Sequence, residues 1–249
     1  AGFTRSDLVV AIGGGALTDL AGFASATWLR GIDWVAVPTS LAGMVDASIG
    51  GKTGINSDYG KNLIGSFHSP IAVVIDPTWL ETLTDRDFLA GMAEVIKCGF
   101  IKDAKILEIV ASRDVASLRP DQQTVVDLIY RAAKVKAEVV SGDFKETFAR
   151  EILNYGHTLG HAVEIHSKFS LRHGEAVAIG LVYAAELAAA RSMISVEIVA
   201  LHRSVLANLG LPTTYDRDAW PALRPILALD KKSRGSTIRF VALNGIGST

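Results

Sequence analysis

The sequence predicts an α/β part with a parallel sheet, followed by a mainly α-helical domain, and three observations carry that expectation. Short apolar runs at Asp7–Ile12, Trp34–Val37 and Ala72–Ile75 read as buried parallel strands, spaced by helical or glycine-rich stretches. From Asp85 to about Leu209 the pattern turns helical, until Gly210-Leu211-Pro212 stops it. With 249 residues, 49% hydrophobic and 20% charged, the chain can bury a sizeable core in one large domain or two modest ones.

The first strand runs into Gly13-Gly14-Gly15 and then a helical stretch from Ala16 to Leu29. Glycines let a backbone approach a phosphate, and a helix N-terminus supplies N–H donors and positive dipole. A plain tight turn fits the same three residues, and the spacing is not that of the G-x-G-x-x-G fingerprint. Asp19 falls on the first turn of that helix, where it either favours the dipole or orients the loop. The second strand stops at Pro38. Beyond it, Gly50–Gly65 reads as a glycine-rich segment whose Gly51-Lys52-Thr53 resembles the end of a P-loop. Asp46 stands where that motif needs its earlier glycine, which excludes an ATPase reading. Asp46, Lys52, Lys61 and Asn62 make this segment either an anion pocket or a solvated loop. The third strand ends at Asp76-Pro77, and the domain boundary is placed near Pro77–Leu83.

In the helical half, Glu94 is a carboxylate in an apolar stretch and needs a cation or a partner. Cys98, the one cysteine, lies in the same stretch as a small core residue. Asp121–Gly142 and Ala149–His166 read as helices. The first carries Lys134 and Glu138, spaced as an i,i+4 ion pair, with Lys136 between them. The second carries His157 and His161, four residues apart and so on one face; that spacing suits two ligands to one metal, or one ligand and a proton carrier. His173-Gly174-Glu175 opens the next helix with a third imidazole. Three histidines and an acid imply a metal; a zinc deaminase is excluded because its Pro-Cys-x-x-Cys partner is missing. Ala176–Ala190 is apolar apart from Glu186 and shorter than the ~20 residues of a spanning helix, so it reads as buried. Asp230-Lys231-Lys232 reads as a charged turn, and Thr237–Leu243 as a late strand.

A net charge of −1 gives no electrostatic reason for non-specific nucleic-acid or membrane binding, so an anionic small molecule would need a local cationic pocket. One cysteine allows no intrachain disulfide, which fits a reducing, cytoplasmic compartment.

Taken together, the motifs resemble 3-dehydroquinate synthase, of the sugar-phosphate cyclase family, collinearly from Asp7 to about Val241. The resemblance rests on Gly13–Gly22, Ala26–Gly31, Pro38–Leu41, Val45–Asn56, Gly60–Phe67, Ala93–Lys97, Val135–Val140, Leu153–His161, His173–Val177 and Asp230–Lys232. It implies that residues 1–80 are the C-terminal half of an α/β NAD-binding domain, incomplete as it stands, and that 81–249 are a mostly helical metal- and substrate-binding domain. It implies zinc, or cobalt, held by Glu94, His157 and His173, so that His161 is a neighbour of the substrate and not a ligand. It implies NAD over Gly14, Gly15 and Asp19, with Thr39, Ser40 and Thr82 nearby. The substrate, a phosphorylated sugar acid, would meet Asp46, Lys52, Lys61, Asn62, Lys97, Lys136, Arg150, Asn154 and His161, completed by Lys231 or Lys232. Arg30 would reach across a homodimer interface to the neighbouring subunit's phosphate.

The chain departs from the family pattern in three places. Relatives carry about a third of their length before this point, the C-terminal end is short, and Ser69 stands where the pattern has Gln. Rival readings are a metal-dependent polyol dehydrogenase of related fold, which usually has aspartate where Glu94 stands; a sister cyclase making inosose or valiolone-type rings; and a truncated, non-catalytic fragment. Lys136, Arg150, Asn154 and Asp-Lys-Lys favour the branch whose substrate bears a carboxylate.

Overall fold

A computed structural model of the chain describes residues 2–57, 60–230 and 238–249. Strands β1 (Val9–Gly13), β2 (Trp34–Pro38) and β5 (Ala72–Val73) form a parallel sheet in the order β1-β2-β5. β1 and β2 pair from Val9↔Trp34 to Gly13↔Pro38. Helix α1 (Gly15–Thr27) covers one sheet face, and Ala11, Trp34 and Ala36 form a small core there. The other face is open: Val10, Ile12 and Val74 are about half exposed, so these strands are buried on one side and not on two. The third strand is also shorter than its apolar run suggests, because only Ala72 and Val73 pair with β2.

The glycine-rich segment is a hairpin and not an irregular loop. β3 (Lys52–Ser57) and β4 (Gly60–Phe67) pair antiparallel, and Thr53 Oγ1 donates to Ser66 O at 2.8 Å. Glycines hid the alternation that marks a strand; Gly54 and Gly65 face each other in register. Before the hairpin, Asp46 sits in a short π-helical turn, Gly43–Ala47.

The helical half comprises α2 (Asp85–Ile101), α3 (Lys105–Val110), α4 (Val115–Leu118), α5 (Gln122–Gly142), α6 (His157–His166), α7 (His173–Ala190), α8 (Val196–Asn208) and α9 (Trp220–Asp230). A 3-10 turn, Pro77–Thr82, precedes α2. One extended core joins α2, α5, α7 and α8 through Phe88, Ile96, Leu128, Leu181 and Val205. Cys98 is buried in it, and α7 is the buried apolar helix its sequence suggests. The expected late strand is absent: Ile238–Leu243 form no strand, and Thr237 lies outside the described residues. Ala149–His166 is likewise not one helix. A 3-10 turn, Ala149–Asn154, ends at Tyr155, and α6 begins afresh at His157. No helix among the described residues is long and apolar enough to cross a membrane.

Candidate active site

Three helices meet where Glu94 on α2, His157 at the start of α6 and His173 at the start of α7 come together. The break before α6 requires a residue at φ +79°, which Gly156 supplies without a side chain to strain or to strike Leu181. Gly174 lets α7 lie directly against the Ala90 carbonyl of α2; any β-carbon there would occupy the same space as that carbonyl. His173 is thereby brought to Glu94.

The ligand atoms of these three residues lie within 4.8 Å of one another. Glu94 Oε1 is 3.3 Å from His157 Nε2 and 3.1 Å from His173 Nε2. The far ring nitrogens are already engaged: His157 Nδ1 donates to Tyr155 O, and His173 Nδ1 to Glu164 Oε2, both at 3.1 Å. With those protons placed on Nδ1, each Nε2 presents a lone pair to an oxygen that can only accept. Such a grouping calls for a cation. Two ligand atoms of a tetrahedral zinc stand about 3.4 Å apart, close to both spacings seen here. The imidazole–carboxylate and imidazole–carbonyl pairs are the outer contacts that ligating histidines use. The residues therefore fit a divalent metal. Without one, burial drives His173 downward, but hydrogen bonds to Glu164 and Glu94 and their charges outweigh it and raise the imidazole to about 10.

Next to the cluster, Lys97 Nζ is 2.5 Å from Glu94 Oε2 and 3.8 Å from Asp46 Oδ1. The first contact is an ion pair off the hydrogen-bond angle, so Oε2 accepts no well-aligned hydrogen bond. Burial works against the Glu94 carboxylate, yet Lys97 and His157 hold it well below the usual range. Lys136 Nζ donates to Asp46 Oδ1 at 2.5 Å. A chain of alternating charge, Glu94–Lys97–Asp46–Lys136, thus links α2 to α5 through the turn that follows β2.

A second arm runs along the hairpin. Lys52 pairs with Glu146, whose other oxygen accepts from Asn154 Nδ2 at 2.6 Å. Arg150 is buried, donates to Phe144 O at 2.7 Å, and lies close enough to Lys52, as does Lys136, to lower the lysine's pKa; burial is the larger cause, and Glu146 opposes it. The loop that carries Glu146 is fixed by Asp143, which accepts from the backbone N–H groups of Thr147, Phe148 and Arg150 at 2.8–3.1 Å. Those bonds outweigh burial and hold the Asp143 carboxyl well below the usual carboxylate range.

The structure thus brings together Asp46, Lys97, Lys136, Glu94, His157 and His173, and on a second arm Lys52 and Asn154 around Glu146, with Arg150 near Lys52. The His161 ring centroid lies 5.4 Å from that of His157 and 6.0 Å from that of His173, one helical turn along the face that the spacing predicts. Gly14 caps α1 and Gly15 begins it, with Thr39 N donating to Gly13 O and Ser40 Oγ accepting from Gly43 N. Asp19 is the fifth residue of α1, one place beyond the first turn where it was expected, and faces Asp46. Thr82 is exposed, its hydroxyl turned back onto Trp79 O. Asn62 is exposed at φ +52°, its N–H bonded to Asn56. Arg30 is exposed in a turn where Leu29, Arg30 and Gly31 all have positive φ. Lys231 and Lys232 lie outside the described residues, as does the side chain of Lys61.

Two acids were missed. Glu164 follows His161 by three residues and so faces the same side of α6, a spacing legible in the sequence. Glu146 sits in a loop, where no periodicity marks it.

A glycine-capped α/β turn feeding a helical divalent-metal site lined by paired lysines defines a class: nucleotide- and metal-assisted enzymes acting on anionic small molecules. Within that class the comparisons select one family. The family model described as 3-dehydroquinate synthase N-terminal matches residues 1–90, and the C-terminal model matches 91–233. The chain is 54% identical over 248 residues to the 3-dehydroquinate synthase of Thermobifida fusca, spanning 100% of this chain and 67% of that protein. It is 57% identical over 244 residues to that of an Arthrobacter strain, spanning 98% and 67%. The chain belongs to the 3-dehydroquinate synthase family. Among solved structures, the 2-epi-5-epi-valiolone synthase of Streptomyces hygroscopicus, with NAD+ and Zn2+ bound, superposes with a TM-score of 0.91 at 32% identity, covering 99% of this chain and 69% of that one. A 2-deoxy-scyllo-inosose synthase in complex with carbaglucose-6-phosphate, NAD+ and Co2+ gives 0.86 at 29%, with 99% and 69% covered. A probable glycerol dehydrogenase of Sinorhizobium meliloti, at 0.62 and 18%, shares the fold alone.

Proposed function

We propose that the chain is a 3-dehydroquinate synthase, a carbon–oxygen lyase of the shikimate pathway to the aromatic amino acids, working as a cytoplasmic homodimer. Its reaction converts 3-deoxy-D-arabino-heptulosonate 7-phosphate to 3-dehydroquinate and phosphate. The observation that carries the reading is the Glu94–His157–His173 cluster with Lys97 against it, Lys136 next in line on Asp46, and Lys52, Arg150 and Asn154 on the arm beyond. Relatives solved with NAD+ and Zn2+ or Co2+ support the same two cofactors here. Glu94, His157 and His173 would hold the metal, and Gly14, Gly15, Asp19, Thr39, Ser40 and Thr82 the dinucleotide. When bound, the metal supplies Lewis-acid polarisation of a substrate hydroxyl, and the nicotinamide a hydride acceptor that later returns the hydride, with no net redox change.

The chain's own residues then have three tasks. Lys52, Arg150 and Asn154, with Lys61 and Asn62 on the hairpin, bind the phosphate and stabilise it as it leaves, through charge-assisted hydrogen bonds. Lys97 and Lys136, pre-oriented by Asp46, hold the hydroxyls and the carboxylate; Lys231 or Lys232 completes the pocket. His161, beside both imidazole ligands but not one itself, moves a proton at a substrate hydroxyl. Arg30, exposed in its strained turn, is directed to the phosphate in the neighbouring subunit.

The test is phosphate release from the seven-carbon substrate with zinc, with and without NAD. Release that needs NAD, with no NADH accumulating, is the expected result. NADH accumulating on glycerol-like alcohols would replace the synthase reading with a dehydrogenase.

A further inference from the structure

Behind the candidate metal cluster lies a pair of polar side chains that the proposed chemistry does not use. Tyr155 and His202 are both fully buried, and the phenol oxygen is 2.9 Å from His202 Nε2. His202 Nδ1 lies 2.7 Å from Ile198 O, one turn back on α8. A carbonyl only accepts, so the Nδ1 proton is spent there, Nε2 carries the lone pair, and the tyrosine hydroxyl donates to it. Burial keeps the imidazole neutral by lowering it to about 4, against the Ile198 hydrogen bond. The His202 ring is also stacked on Phe100 of α2, centroids 3.4 Å apart and planes 9° from parallel. His202 is therefore held on two sides by helices that do not carry Tyr155.

The other end of Tyr155 is its carbonyl, which accepts from His157 Nδ1 at 3.1 Å. Next in the chain is Gly156, at φ +79° and pressed against Leu181 of α7. With the ring pinned at one end and the following residue at the other, the Tyr155 carbonyl has little freedom to turn. Two apolar side chains would fill the same space without fixing a direction. A hydrogen-bonded pair fixes one, and burying both groups demands that the bond be kept.

We propose that Tyr155 and His202 are positioning residues that act through the Tyr155 carbonyl to aim the His157 imidazole at the metal. The inference rests on the reading of His157 as a ligand. Outer hydrogen bonds of this kind typically govern about 10- to 100-fold in metal affinity when they touch the ligand directly. One step further out, Tyr155→Phe is expected to raise the zinc Kd by roughly three- to tenfold.

The experiment is a chelator competition for zinc on the purified chain, with His157→Ala, Tyr155→Phe and His202→Gln beside it. Visible absorption of the cobalt-loaded forms reports the ligand field. Tyr155→Phe should weaken zinc binding and shift the cobalt bands, while His202→Gln, whose amide oxygen still accepts from the phenol, should keep zinc affinity and bands close to those of the unaltered chain. Tyr155→Phe with unchanged Kd and unchanged bands, whatever happens to its Tm, overturns the positioning role and leaves a core-filling pair. His157→Ala at full zinc occupancy instead removes the ligand assignment itself, and the positioning role with it.

Discussion

Ile96, Phe100 and Leu181 in the helical half are 0% exposed, whereas Val10, Ile12 and Val74 in the sheet half are 54%, 52% and 50% exposed. The first group sits in a core that α2, α5, α7 and α8 close on all sides; the second lines a sheet that α1 covers on one face only. The two halves also carry different parts of the candidate site. Of the candidate metal ligands, Glu94 and His173 stand with Lys97 and Lys136 on helices locked by that core, and His157 on α6, which packs with α7 and α9 in a second core, while the glycine turn and Asp19 stand on the half-covered sheet and the helix that covers it. Preorganisation of side chains depends on the packing beneath them, so the metal end should resist perturbation that the nucleotide end does not. The chain spans about two thirds of the length of the synthases it matches.

The largest expected effect separates the ends outright. His157→Ala should lower zinc affinity by more than about 100-fold, since a ligand matters more than the outer contacts that tune it. Dinucleotide binding, measured by nicotinamide fluorescence quenching with NADH, should change little. Equal losses at both ends would mean that the two halves form one cooperative site and that the contrast is superficial.

Lys97→Met probes the charge chain at the metal end. Lys97 is the cation nearest to Glu94 and shares Asp46 with Lys136, so its removal takes the closest opposite charge from a buried carboxylate. Metal-free protein should lose about 3–5 kcal/mol in urea unfolding. Saturating zinc should recover much of the loss, because a cation again faces Glu94. A loss of the same size with and without zinc would separate Lys97 from the metal end.

A matched pair of core substitutions sharpens the contrast in packing. Ile96→Ala should cost about 2–5 kcal/mol, and Val10→Ser within about 0.5 kcal/mol, by the same urea midpoints. A Val10→Ser cost approaching that of Ile96→Ala would show the open sheet face to be covered in solution.

How much was legible in the sequence follows the same division. The helical half declares itself, because 3.6-residue periodicity, the His157–His161 spacing and the isolated Glu94 are local signals. Their convergence is not local: it depends on Gly156 and Gly174, which permit a turn and a close approach that no pattern announces. The sheet half reads less well. The β3–β4 hairpin is rich in glycine, which erases the alternation of faces, and the open side of β1 is invisible because an apolar run looks the same whether one face or two are covered. Glu146, bridging Lys52 and Asn154, escapes for a third reason: it works from an irregular loop held by Asp143.

The smallest effect sets the two ends against each other in pH. Burial and the charge of Asp46 outweigh Lys136 and raise Asp19, on the sheet side, to about 6. In Asp46, burial and Glu94 push upward, but Lys136 and Lys97 prevail and hold it at about 2. Both start from about 3.9 in the unfolded chain, so their contributions have opposite signs. Asp19 binds its proton more tightly when folded, so its contribution to stability grows as pH falls from about 6 to about 4. Asp46 binds its proton less tightly, so its contribution is complete above about 4 and is lost as pH falls toward 2. Asp19→Asn should therefore stabilise metal-free protein at pH 7, by on the order of 1 kcal/mol after screening, and the gain should vanish near pH 4. A gain that is the same at pH 7 and pH 4 would show that the Asp19 carboxyl is solvated, and that the sheet half does not press it against Asp46.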